Sequence, residues 1–589
     1  MSPWRILGRL LSYRPGAFVG NVLLWGLVWT LPLVSGLLTR AILDELAGRA
    51  QVAVGLWTLI AWLVANAVVR IVIHTVGVNV WATYWFTVAG LLRRNLLDRI
   101  LQRPGARPLP DSPSEAMSRF RDDVDEVAKP VELVVDGIGV VTAGVISVVI
   151  MARINAVITA VVILPLLAIV AVVALMRQRI LTYRRNAREA AGRVTDFVGE
   201  MFGAVQAVKV AAAEGHVIRH LDTLNEIRRA AALKDNLLTE LLTAIFRSTI
   251  NVGTGLVLIL AAQSMRLGTF TVGDFALFVY YLGLVTGAME TIGNFSARMK
   301  QAGVSVQRLA ELVPGDPHEL LVRHIPVYLQ GPLPDVVQMP RTEVEPLRIL
   351  DVRGLTYRDP TTGRGIENVT LLLRRGSFTV VTGRIGSGKT TLLRTLLGLL
   401  PRTAGEIRWN GALVEEPADF FVPPRAAYIS QVPRLFSDAL RENVLLGLSE
   451  QATDLPGAVW SAVLERDVEA LEHGLDTRVG PRGVKLSGGQ VQRTAAARMF
   501  ARTPELLVID DLSSALDVDT EHALWERLFG RSDTTCLVVS HRRAAFRRAE
   551  HIIVMKDGRV ETEGTLEQVL QSSPEMQRLW SHEPAAAMS

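Results

Sequence analysis

The chain alternates long apolar stretches with charged ones for its first half, then changes period. No charge occurs from Ala17 to Leu38, a run long enough to cross a hydrocarbon core of about 30 Å as a helix. A second run, Val52 to Leu92, is broken only by Arg70 and His74, so a helix there must extend beyond the bilayer. Gly137 to Ala152 and Ile154 to Met176 follow with only a tight turn between them; Ser248 to Met265 and Phe275 to Met289 complete six predicted spans. Between spans two and three lies a charged segment, Arg93 to Lys129, whose turn-rich Pro104 to Pro113 marks an aqueous loop between helical extensions, and between four and five a charged, helix-patterned one, Arg177 to Arg247. Both fall on one face of a six-span topology and both are rich in arginine, which places them in the cytoplasm. Ahead of the first span, Trp4 to Leu11 mixes apolar and basic residues at helical spacing and reads as an interfacial helix. Residues 314–346 are proline-rich without periodicity and read as a linker. Beyond them short buried-strand runs such as Phe378-Thr379-Val380-Val381 alternate with helical patterns. The expected organisation is an all-α membrane domain over 1–313, the linker, and an α/β domain over 347–589.

Composition agrees. Hydrophobic residues make up 49% of the 589 and mean hydropathy is +0.28, high for a soluble protein. A net charge of +5 raises the question of nucleic acid, but the arginines cluster between apolar runs and are accounted for as cytoplasmic loop charge. Cys536 is the only cysteine, so no intrachain disulfide forms; its setting in a strand-like run marks it as a core residue.

The chemistry sits in the second half. Gly383-Arg384-Ile385-Gly386-Ser387-Gly388-Lys389-Thr390 satisfies G-x-x-x-x-G-K-[ST], after a strand and before a helix expected to open at Thr391. Glycines are needed where backbone N–H groups approach phosphate oxygens, and the helix N-terminus adds a dipole that favours the anion. Lys389 is expected to reach the β- and γ-phosphates, and Thr390 to offer its hydroxyl to Mg²⁺. Downstream, Leu506-Leu507-Val508-Ile509 ends at Asp510, a carboxylate placed to hold Mg²⁺ as in a Walker B strand.

Six spans with two long cytoplasmic excursions, fused ahead of a P-loop domain, resemble the ATP-binding cassette (ABC) exporter family over nearly the whole chain. The resemblance implies several roles. Leu486-Ser487-Gly488-Gly489-Gln490 matches the signature sequence without change, so Ser487, Gly488, Gly489 and Gln490 would face the ATP held by an opposite cassette, with a helix beginning near Val491. Gln431 resembles the Q-loop glutamine that contacts the metal, His541 the switch histidine that binds the γ-phosphate, and Ser514-Ala515-Leu516-Asp517 the D-loop. Short docking helices would lie in Pro113 to Val127 and in Glu200 to Glu214. Three positions depart from the family pattern. Asp511 stands where a catalytic glutamate is usual; its carboxylate is set back by one bond, about 1.5 Å, and misplacement of about 1 Å can cost about 10²-fold in rate. A slow Walker site is the expectation, with backbone adjustment that lets Asp511 serve as the alternative. The usual aromatic for adenine stacking falls on Asp359, with Tyr357 two residues earlier as the candidate in its place. Pro481 replaces a glutamate that often contacts a docking helix.

Arg70, His74 and Asp136 lie inside apolar stretches, where an unpartnered charge is costly, and are expected to face protein or water, in a substrate cavity or an ion pair. Trp25, Trp29, Tyr280 and Tyr281 are cavity candidates, or lipid-facing packing. The function expected is that of an exporter half in the cell membrane, using ATP and Mg²⁺, paired with a second half, a heterodimer being favoured, and moving an amphipathic or apolar compound. A membrane-bound nucleotide sensor, an importer or a lipid flippase are the alternatives; a soluble DNA-handling cassette is excluded by the spans.

Overall fold

A computed structural model of the chain describes residues 2–49, 54–102, 105, 113–329, 331–333, 345–360, 362–481, 483–512, 516–530 and 534–582. The chain divides into two compact units, one of Met1–Ile100 with Leu109–Pro332, the other of Leu101–Pro108 with Leu333–Ser589.

The first unit is helical. A short helix α1 (Pro3–Ser12) precedes α2 (Pro15–Leu46), α3 (Leu56–Leu101), a turn of helix α4 (Pro113–Ser118), α5 (Val124–Ile154), α6 (Ala156–Gly203), the six-residue α7 (Val205–Val210), α8 (Glu214–Arg266) and α9 (Val272–Glu311). The six long ones correspond to the predicted spans. Among the described residues α2, α3, the Glu115–Ile154 segment and α9 are apolar over a membrane-crossing length, while α6 and α8 carry the shorter stretches Ala156–Ala168 and Asn251–Ala262. At 48 residues α6 is about 70 Å long, so it extends well past a bilayer.

Helices α2, α5 and α9 pack through small residues, as expected where lipid tails remove the hydrophobic drive and close backbone approach must supply contact. A Cβ on Gly139 would lie 3.0 Å from the Gly26 Cα, and one on Gly144 2.6 Å from the Ala288 Cβ. Tyr281 donates its hydroxyl to the Leu33 carbonyl at 2.7 Å. At one end of α2 and α9, Thr271 and Asp274 form a reciprocal cap; Asp274 meets Arg40 at 2.8 Å, and the Gly273 N–H donates to Asp44 at 3.1 Å. Asp44 and Asp274 are both buried there.

The segment expected to hold the first docking helix contains the short helix α4, and beyond it the chain is packed against α9. Arg119 donates to the Arg308 carbonyl at 2.5 Å and meets Glu311 at 3.2 Å, while Ser305 donates to Asp123 at 2.7 Å, so both Arg119 and Asp123 are buried against α9. This segment is the root of α5. The second expected site does contain a short helix, α7, with no buried residue. Of the intramembrane charges, Asp136 accepts from Trp29 Nε1 at 3.4 Å and His74 lies edge-on to Trp25 at 5.4 Å. Arg70 and His74 are exposed on α3, and among the described residues no ion pair joins either to Asp136.

The second unit is α/β. A four-stranded antiparallel sheet has the order β2-β1-β4-β5, from β1 (Ile349–Arg358), β2 (Gly365–Arg374), β4 (Ala404–Trp409) and β5 (Ala412–Leu413). The six-stranded sheet has the order β10-β9-β3-β8-β7-β6, from β3 (Phe378–Thr382), β6 (Ala426–Ile429), β7 (Leu506–Asp510), β8 (Thr535–Val539), β9 (His551–Lys556) and β10 (Arg559–Gly564). Strands β3, β7 and β8 are buried at every position, because helices cover both faces of a parallel sheet. Cys536 on β8 is buried, as expected, and burial pushes its thiol up to about 12.

Candidate nucleotide site

The loop between β3 and helix α10 (Lys389–Leu396) starts its helix two residues earlier than expected, at the lysine itself. Gly388 caps the helix with φ +100°, and Gly386 has φ +83°, both left-handed and costly for any other residue. At Gly383 a Cβ would lie 2.1 Å from the Met555 carbonyl oxygen, so only glycine lets the loop leave the strand against β9. Lys389 curls over the loop, donating to the Gly383 carbonyl at 2.7 Å and the Arg384 carbonyl at 2.9 Å. Burial lowers its pKa, opposed by the charges of Asp510 and Asp511. Ser387 Oγ is buried without a hydrogen-bond partner among the described residues. Arg384 pairs with Asp557 at 2.6 Å, Ile385 is exposed, and Thr391 sits in the first turn of α10.

Asp510 ends β7 fully buried, and Thr390 Oγ1 donates to its Oδ1 at 3.1 Å. Burial pushes this carboxyl above the usual range, while Thr390, Arg394 and Tyr428 pull it back. Asp511 turns the chain off the strand with φ +55°, a left-handed conformation that aspartate tolerates better than most residues, and its N–H donates to the Val539 carbonyl at 3.1 Å. Gln431 Nε2 reaches Asp511 Oδ2 at 3.5 Å, and His541 Nδ1 lies 3.5 Å from Thr382 Oγ1. Lys389, Thr390, Asp510, Asp511, Gln431 and His541 are therefore linked to the ends of β3, β6, β7 and β8, at the carboxyl edge of the parallel strands, where ligands of open α/β sheets bind.

The signature residues form a separate, well-capped helix start. Helix α11 (Gly488–Phe500) begins at Gly488, three residues before the position expected, with Ser487 as its cap. Ser487 Oγ accepts from the Gln490 N–H at 3.3 Å and the Ser487 N–H donates to Gln490 Oε1 at 2.8 Å. Gln490 Nε2 in turn donates to Asp467 at 2.9 Å, which also pairs with Arg493 at 2.6 Å. Among the described residues no hydrogen bond or ion pair joins Ser487–Gln490 to residues 383–391. Of the expected D-loop, Ser514 and Ala515 lie outside the described residues; Asp517 caps helix α12 (Val518–Phe529) through the Thr520 N–H at 2.9 Å.

Tyr357 does not fit the stacking role expected of it. Only 7% of it is exposed, and it belongs to the apolar cluster that also holds Leu355, Ile366 and Val369, a setting that does not suit stacking on a base. Asp359 instead opens a turn, accepting from the Thr362 N–H at 2.8 Å. Sequence reasoning also missed Tyr428 and Arg394 beside Asp510, and Asp467 beneath the signature; no motif marks them.

The residues fit a nucleotide phosphate chain. The Ser387 hydroxyl, without a hydrogen-bond partner among the described residues, and the Lys389 ammonium, held only by carbonyls of the loop, are donors at a helix N-terminus. For Mg²⁺ the chain offers one hydroxyl and one buried carboxylate, Thr390 and Asp510, the sparse set used by an ion held mostly by phosphate oxygens and water.

Known proteins carry the same parts. The family model described as ABC transporter matches residues 366–514, and that described as ABC transporter transmembrane region matches residues 21–289. The chain is 28% identical over 425 residues to the probable multidrug resistance ABC transporter ATP-binding/permease protein YheI of Bacillus subtilis, covering 69% of this chain and 68% of that protein. It is 26% identical over 578 residues to the ATP-dependent lipid A-core flippase of Bordetella avium, covering 96% and 94%. With human antigen peptide transporter 2 it shares 28% identity over 382 residues, 64% of this chain and 53% of that one. The fold matches that of a bacterial Atm1-family ABC exporter with ATP bound, with a TM-score of 0.75 at 19% identity, over 98% of this chain and 99% of the other. With a membrane region and an ATP-binding cassette fused in that order, the chain belongs to the ABC transporters as an integral membrane exporter half.

Proposed function

We propose that this chain is the weak-site half of a heterodimeric ATP-driven exporter. The observation that carries the reading is Asp511 at the water-activating position beside an unaltered, fully capped Ser487–Gln490 start of α11. The defect and the intact element serve different nucleotides: Asp511 this chain's own, Ser487 the partner's. Bound ATP would supply the phosphoanhydride whose hydrolysis drives transport. Lys389 would hold the β- and γ-phosphates, His541 the γ-phosphate, and Thr390, Asp510 and Gln431 the Mg²⁺. The unit over 1–313 would carry substrate through the cell membrane, joined by the 314–346 linker to a cytoplasmic cassette at 347–589. The relatives' names span multidrug, peptide and lipid A transport. For this chain the proposed cargo is an amphipathic or apolar compound.

The test is steady-state ATPase of the purified chain alone, with its co-purifying half, and with each substitution. Ser487→Ala should depress the activity of the pair far more than Asp511→Ala. Full activity from the chain alone, or equal loss from both substitutions, would sink the asymmetric reading.

A further inference from the structure

Asp510 is held from two sides, and the second side belongs to no recognised motif. On the parallel sheet Tyr428 pairs with Val508, and Asp510 lies two residues beyond Val508 on the same face of β7. Side chains two apart on a strand share a face, so the Tyr428 ring runs diagonally toward the carboxylate. Its hydroxyl lies 3.4 Å from Asp510 Oδ2, while Thr390 occupies Oδ1. The tyrosine hydroxyl is the donor in this pair, since an ionised carboxylate can only accept.

We propose that Tyr428 is a positioning residue for the metal site: its hydroxyl locks the Asp510 carboxylate so that the remaining lone pairs face the Mg²⁺ position beside Thr390. The contact ties β6, which ends two residues before Gln431, to β7. Burial makes the constraint matter. A carboxylate that is 1% exposed has no water to hold its orientation, and losing one of two partners frees it to rotate about its terminal bond. Outer hydrogen-bond partners of metal-holding groups typically govern metal affinity by about tenfold or more. The inference rests on the proposed metal role of Asp510.

The experiment is a Mg²⁺ titration of fluorescent, non-hydrolysable ATP-analogue binding to the full-length chain, with a parallel affinity measurement in EDTA. Tyr428→Phe, which removes only the hydroxyl, should raise the Mg²⁺ concentration for half-maximal binding by about tenfold and leave the EDTA affinity unchanged. An unchanged Mg²⁺ requirement overturns the proposal, as does an equal loss with and without Mg²⁺, which a merely structural tyrosine would give. Tyr428→Leu, which also removes the hydroxyl, must raise the requirement in the same direction, and decides the matter if Tyr428→Phe does not fold. Asp510→Asn separates the two levels of the reading. If it too leaves the Mg²⁺ requirement unchanged, the metal role of Asp510 fails; if it alone shifts the requirement, only the role of the tyrosine fails.

Discussion

Under the proposed function, Asp511→Glu tests whether a missing methylene limits hydrolysis at this chain's own Walker site. The longer side chain advances the carboxylate by about 1.5 Å, one C–C bond. Restoring the position of a reacting group by that distance is worth up to about 10²-fold in rate, or about 2.7 kcal/mol of barrier. Two features of the structure oppose the change. Gln431 Nε2 already lies 3.5 Å from Asp511 Oδ2, so it must give way to a longer acid. The backbone at φ +55° suits aspartate better than glutamate, a handicap of about 1 kcal/mol. That strain is present before and during hydrolysis alike, so it should appear as lower stability and leave the rate gain standing. The assay is single-turnover ATP hydrolysis by the proposed pair carrying Ser487→Ala, which on that reading silences the composite site built on the partner's Walker residues. In that background Asp511→Glu should raise the rate by between about ten- and one hundredfold. Asp511→Asn, similar in size and in tolerance of the left-handed backbone, should change it little. A rate within about twofold of the parent for Asp511→Glu would refute the reasoning, because carboxylate reach would then not be the limiting deficit.

Three further outcomes are expected. Lys389→Ala should weaken nucleotide binding by about 3 kcal/mol, about 10²-fold in Kd, through loss of charge-assisted bonds to phosphate; unchanged affinity in a direct binding assay would mean the loop does not hold phosphates. Arg40→Met leaves buried Asp44 and Asp274 without their shared cation and should destabilise the helical unit by about 3 kcal/mol, the low end for a broken buried pair since the Arg40 side chain is 25% exposed. Thermal unfolding in detergent reads this, and an unshifted midpoint would show that the carboxylates do not depend on the arginine. Cysteines at the exposed positions Met117 and Val210, in a chain with Cys536→Ala, should resist an impermeant thiol reagent in intact cells and react after lysis; labelling from outside would invert the topology.

Apolar runs and the glycine motif were legible because each rests on a local rule: uninterrupted hydropathy for a span, left-handed glycines for a phosphate loop. The errors arose where a local pattern stops short of its consequence. Tyr357 and Asp359 share a face only if the strand continues, and β1 ends at Arg358, so the alternation that buries Leu355 and Tyr357 does not carry Asp359 with them. Tyr357 thus reads correctly as a strand residue and wrongly as a nucleotide contact. Charge density failed in a similar way around Arg119. A dense run of arginines and aspartates looks solvated in sequence, yet Arg119 and Asp123 are buried by Ser305, Arg308 and Glu311, about 190 residues away.

The same limit explains why the polar groups that matter most to packing carry no signal. Asp44 looks like one more charge in a loop, and Gly273 like one more turn glycine. In space a Cβ on Gly273 would lie 2.4 Å from the Arg40 carbonyl and 2.5 Å from Asp44 Oδ1, so the glycine is what lets α9 start against α2. That approach brings the Gly273 amide to Asp44 and Asp274 to Arg40, turning two costly buried carboxylates into acceptors with partners. Each residue is unremarkable alone because its partner is more than 200 positions distant. Tyr428 belongs to the same class. In sequence it is an aromatic in a short strand, and only the pairing of β6 with β7 brings its hydroxyl to Asp510. Long-range pairing of polar groups is thus where this chain's structure adds most to its sequence, at the helix ends and at the end of β7 alike.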